Sequence, residues 1–118
     1  MSNELFAGLE ETARKLVGKW HCKELDQHFD FSLISDLRES SDLKITNTQT
    51  YNSQYTLSAR PHFKKDRTRG LYYISIDPYP NRTFDIMAIT GNMLVLSEFS
   101  TSDNRVALTP LIYNRLKD

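Results

Sequence analysis

Apolar residues in this chain of 118 follow two periodicities that meet at Gly18. Before it, Leu5, Phe6, Leu9, Ala13, Leu16 and Val17 recur at spacings of three and four. That spacing gathers them on one helix face and predicts a helix over 3–17. Glu4, Glu10 and Glu11 precede Arg14 and Lys15, the order that offsets a helix dipole. Ser2 or Asn3 can cap the start, and Gly18 stops the helix.

After Gly18 the period drops to two. Strands are expected over Lys19–Leu25, around Phe29, Phe31 and Leu33, and around Leu43, Ile45 and Tyr51, with Asn47 and Gln49 on the same inward side. Tyr55, Leu57 and Ala59 form the next face, then Tyr72, Ile74 and Ile76, then Phe84, Ile86 and Ala88. Met93–Phe99 and Arg105–Leu116 follow, the last with a bend or bulge at Pro110. Turns are expected at Asp26-Gln27-His28, Glu39–Asp42, Asn52-Ser53, Pro61–Gly70, Pro78–Asn81, Gly91-Asn92 and Thr101–Asn104. About eight strands joined mostly by short turns should pair antiparallel with their neighbours. Eight is also the number that closes into a barrel with room for side chains or one small ligand. The expected fold class is therefore mainly β: an N-terminal α-helix followed by an up-and-down antiparallel β-barrel. It forms a single domain over 1–118, with a capping helix at 1–17 and the barrel at 18–118. The structural alternative is an open, strongly curved sheet holding the helix in its concavity.

Charge narrows the classes of partner. Fifteen Lys and Arg balance fifteen Asp and Glu, which argues against a nucleic-acid binder. The zero net charge also leaves no electrostatic resistance to self-association, so a homo-oligomer is compatible with it. Cys22 is the single cysteine and excludes an intrachain disulfide. No segment of signal type and no apolar run near the roughly 20 residues of a bilayer span is present, which leads to the expectation of a soluble, cytoplasmic protein without membrane insertion.

Catalytic chemistry is sparse. His21 and Cys22 are adjacent on one strand and point to opposite faces, so with His28 they do not converge on a metal. A half-buried Cys22 and exposed histidines are expected instead. Cys22 with a distant His62 has no supporting local signature. Asp26, Asp30 and Asp36 read as solvated caps. Neither a metal, a cofactor nor an enzymatic activity is expected. Residues 60–70 carry Arg60, Lys64, Lys65, Arg67 and Arg69 against Asp66, a solvated hairpin loop or a contact for phosphate or an acidic partner. The six tyrosines are numerous for the chain length and suit the walls of a pocket for a flat or amphipathic molecule. Tyr51, Tyr55, Tyr72, Ile74, Phe84 and Ile86 are the expected ligand-binding positions, since they recur at period two on the inward side of the middle strands.

Gly18-Lys19-Trp20 resembles the Gly-x-Trp motif of the lipocalins and the wider calycin group. Arg115, within Tyr113-Asn114-Arg115-Leu116, resembles the basic residue that packs over that tryptophan. The resemblance implies that Gly18, Trp20 and Arg115 join the first and last strands. It also implies a small hydrophobic or amphipathic ligand inside the barrel. The chain departs from secreted lipocalins in its shorter length and in lacking the Thr-Asp-Tyr motif and the disulfide; it is similar to the compact lipocalin-like domains of bacteria. The expected function is a non-enzymatic binding protein for a small, mostly apolar ligand. The alternative is a protein–protein interaction module whose barrel is filled.

Overall fold

A computed structural model describes residues 2–59, 71–78, 81–100, 105–106 and 109–116, and the side chains of all of these except 2–7, 100, 105 and 106. Helix α1 runs Ser2–Leu16. Strands follow at β1 Gly18–Cys22, β2 Gln27–Phe31, β3 Ser41–Thr46, β4 Thr50–Ala59, β5 Tyr72–Asp77, β6 Arg82–Ile89, β7 Met93–Ser100, β8 Arg105–Val106 and β9 Leu111–Arg115.

Strands β1 to β7 pair antiparallel in chain order, β7 pairs with β9, and β9 returns to β1. That last ladder, Trp20 opposite Arg115 and Cys22 opposite Tyr113, closes the sheet on itself and removes the open-sheet alternative. Strand β8 pairs with the far end of β7, Phe99 opposite Val106, while β9 pairs with its near end, Leu96 opposite Leu111. The two short strands therefore share one stave, interrupted ahead of β9 where exposed Pro110 has no N–H to give a ladder. The result is an eight-stave, up-and-down closed barrel with an N-terminal helix, a build consistent with calycin-type barrels.

The period of two decides what fills it. Trp20, Cys22, Phe29, Phe31, Leu43, Ile45, Tyr55, Leu57, Ile74, Ile76, Phe84, Ile86, Leu94, Leu96 and Tyr113 alternate along their strands and form one buried cluster. Phe29 stacks on Tyr113 with ring centres 4.7 Å apart, and Phe31 meets Tyr55 edge-on at 4.9 Å. Alternation fails in β7, where Leu96 and Ser97 are both buried, and in β6, at a register shift between Ile86 and Ala88. Phe84, Asp85 and Ile86 are all buried there, and Ala88 is exposed rather than inward.

Several sequence expectations shift. Strand β1 stops at Cys22 and the turn occupies residues 23–26, so Leu25 is an exposed turn residue while Gln27 and His28 already belong to β2. Asp26 takes φ +48° there, a left-handed conformation that Asp tolerates. Strand β2 ends at Phe31, which leaves Leu33 half exposed and buries Ile34 instead. Ser41 and Asp42 are strand rather than loop. The largest correction concerns residues 43–53. Asn47 and Gln49 are hairpin-tip residues, not inward strand positions: the Asn47 N–H donates to Gln49 O and the Gln49 N–H donates to Asn47 Oδ1, a local Asx turn. Asn52 and Ser53 are not a turn but the interior of β4, with Ser53 buried opposite Leu43. The expected loops at 61–70 and 101–104 lie outside the described residues, as do residues 79 and 80.

Candidate functional site

The two ends of the barrel are built differently. At one end lie the start of β1, the β6–β7 turn and the end of β9, and α1 packs across it against β4 and β6. Ala13 and Leu16 are buried there and Leu9 packs on the core, as the helical spacing requires. Leu5, the fourth expected member of that face, lies outside the described side chains. Gly8 faces the Tyr72 hydroxyl so closely that a Cβ would collide with it.

The junction of helix and barrel rests on Gly18, Trp20 and Arg115. A helix leaves its last carbonyls without intrahelical donors. Here Trp20 Nε1 donates to Leu16 O at 2.9 Å, and the Arg115 guanidinium donates to Val17 O at 2.7 Å and to Lys15 O. Its Nε–H reaches Gly91 O at 2.6 Å. The guanidinium lies over the fully buried indole, 4.1 Å from the ring centre, a cation–π contact of roughly 0.5–2 kcal/mol. Gly18 sits at φ +122°, and a Cβ there would stand 2.6 Å from Arg115 Nη1. Only glycine meets both demands.

Among the described residues, no helix crosses the opposite end. A cavity of about 210 Å³ is lined there by Leu25, Gln27, Arg82, Phe84, Glu98, Leu111 and Tyr113. Register accounts for the set. Gln27, Cys22 and Tyr113 form one row across β2, β1 and β9, so the Gln27 amide reaches past Cys22 to accept a hydrogen bond from the Tyr113 hydroxyl at 3.0 Å. Glu98 pairs with Phe84, and Arg82 is two residues nearer the rim. The Arg82–Glu98 ion pair, 3.0 Å, is therefore a diagonal cross-strand contact on the inward side. The same two residues also line an adjoining polar depression of about 400 Å³ with Ser75, Asp77, Asn81 and Thr83. Burial pushes the Tyr113 hydroxyl well above the ordinary tyrosine pKa, with the neighbouring Cys22 adding to the rise, so it stays a neutral donor. Tyr55 is raised by burial in the same way, and its hydroxyl donates to Ser32 O at 2.6 Å, fastening the segment after β2 to the barrel.

All six expected ligand-binding residues take inward positions. Tyr55, Ile74, Phe84 and Ile86 are buried, and Tyr51 and Tyr72 are partly buried against the core. Phe84 is the one of the six that lines the mouth cavity. The signals for the other mouth residues are indirect: the sequence pattern puts Gln27 in a turn and Leu25 in a strand, and the ion pair is visible only through register. His21 and His28 stack outside the barrel with ring centres 4.4 Å apart, and His21 Nε2 lies 3.1 Å from Asp26 Oδ1. Cys22 points inward and is fully rather than half buried. Among the described residues, no group of three or more His, Cys, Asp and Glu is placed to hold a metal ion. No described helix is long and apolar enough to cross a membrane.

Compared with protein-family models, with curated proteins and with solved structures, the chain shows no significant match.

Proposed function

We propose that this is a non-catalytic, lipocalin-like binding protein that takes a small amphipathic molecule at the barrel mouth opposite the helix. The observation that carries the reading is the difference between the ends: α1 covers one and leaves a cleft of about 330 Å³ between the helix and residues 33–37, with no strand residue in its described lining, while the cavity at the other is lined by inward strand residues, with an apolar floor and a polar rim. Phe84, Leu111 and Leu25 supply apolar surface, and Gln27, Tyr113, Arg82 and Glu98 supply a few placed polar groups, the mixture small-molecule sites use. Tyr55, Ile74 and Ile86, with Tyr51 and Tyr72 packed against the cluster, belong to the same core as Phe84. A longer apolar tail would reach them only by displacing close-packed side chains.

A hydrophobic fluorescent probe should bind the native protein saturably. Phe84→Glu and Leu25→Glu should abolish that binding, and Lys19→Glu on the outer face should not. Leu25 is half exposed in a turn, so its substitution leaves the fold intact and keeps the test decisive. Probe binding that survives both mouth variants would overturn the reading.

A second reading draws on the outer face of β6, β7 and β9. Val95 pairs with both Ala88 and Ile112, and Met93 lies two residues along on the same side. Met93 and Ile112 are 37% and 44% exposed. With zero net charge, a second copy of the chain is the partner this face suits. Sedimentation velocity should then give a dimer that Ile112→Lys dissociates; a monomer at high concentration would remove this reading.

A further inference from the structure

We infer that the molecule taken at the mouth is uncharged and built on a single aromatic ring bearing one hydrogen-bonding substituent, an inference that rests on the mouth being the binding site. Size sets the first limit. An apolar cavity of about 150 Å³ holds one benzene, so about 210 Å³ accommodates one ring with a short substituent. The walls favour a ring over an alkyl chain. Phe84, whose ring just reaches the surface, gives the cavity an aromatic floor, and Tyr113 beside it is fully buried and fixed by stacking on Phe29 and by its bond to Gln27. Rigid aromatic walls pair with a planar guest in offset or edge-to-face geometry.

Charge sets the second limit. Among the described residues, Arg82 and Glu98 are the charged ones that line the cavity, and they neutralise each other at 3.0 Å. An anionic guest gains Arg82 but meets Glu98 beside it, and a cationic one gains Glu98 but meets Arg82. Neither finds a net attraction to offset the water its charge gives up. A neutral hydroxyl or amide disturbs nothing. With Gln27 Oε1 accepting from Tyr113, the amide N–H groups of half-buried Gln27 remain to meet such a substituent.

Calorimetric titration with p-cresol, benzoate, benzylamine and heptanol tests this on the full chain. p-Cresol should bind one to one, with the two charged rings and the alkyl alcohol at least about tenfold weaker, the scale of one unmatched charge near a protein surface. Removing half of the ion pair should redirect the preference. Glu98→Gln should raise benzoate affinity severalfold, and Arg82→Gln should do the same for benzylamine. Equal binding of charged and neutral rings, or a preference unmoved by both variants, would overturn the inference. If p-cresol does not bind while the fluorescent probe still binds and is lost in Leu25→Glu, the mouth remains a site and the single-ring class is wrong. If neither binds, both readings fall.

Discussion

Arg115 shows how much structure one side chain can organise. Its guanidinium joins the end of α1, the β6–β7 turn and the last strand through three carbonyls, and it covers the indole of Trp20. Gly18 is the other half of that arrangement. Gly18→Ala should destabilise the protein by roughly 1–3 kcal/mol from the backbone conformation alone, with more from the collision with Arg115. Arg115→Met removes the colliding atom, so in urea unfolding the double variant should lose less than the sum of the singles. Strict additivity would show that the guanidinium does not constrain Gly18. Periodicity marks only Gly18 of this junction, as the stop of the helix; the meeting of Trp20 with Arg115 is what the Gly-x-Trp resemblance implied. Ser53 was not legible: its small polar side chain reads as a turn, and only the pairing with Leu43 explains its burial.

Tyr113 carries a pH signature at the same scale. Burial raises its pKa, and that of Tyr55, above the unfolded value. The stability these groups contribute is therefore complete below the unfolded tyrosine pKa of about 10 and is lost as the pH climbs above it. Denaturant midpoints at pH 8 and pH 11 should differ, and the difference should shrink in Tyr113→Phe. An unchanged difference would mean that the buried phenol does not take part in alkaline unfolding.

At the scale of elements, α1 works as a plug whose own end the barrel completes. Leu16 is buried while its carbonyl accepts from Trp20, so packing and capping converge on one residue. Deleting residues 2–16 should expose the apolar end, strip Arg115 and Trp20 of two carbonyl partners, and produce aggregation with increased binding of a hydrophobic dye. A soluble truncated monomer of unchanged stability would assign the helix another task. Leu16→Ala gives a finer measure, expected to cost about 2–5 kcal/mol as a buried truncation. The helix was readable because its face repeats over several turns, and the strands because period two persists along them. Hairpin tips were harder. Residues 43–51 are rich in strand-favouring side chains, and the Asx turn at Asn47 depends on one local hydrogen bond that no periodicity reveals.

At the scale of the whole molecule, eight staves leave two ends, and among the described residues α1 is the one helix that covers either. The uncovered end gathers residues from β2, β6, β7 and β9 together with the turn after β1. Such a set is invisible to spacing, since it depends on every register between Gln27 and Tyr113 at once. The inward faces were legible, but the position of the cavity along them was not. A one-residue slip in any strand would have turned Phe84 or Tyr113 outward.

Amide chemical-shift mapping during titration with p-cresol tests the mouth most directly. Saturable shifts should gather at Leu25, Gln27, Phe84, Glu98, Leu111 and Tyr113, with Gly8, Ala13 and Leu16 at the plugged end unmoved. Shifts centred on the helix end or on the Met93–Ile112 face, or no saturable shifts at all, would contradict binding at the mouth.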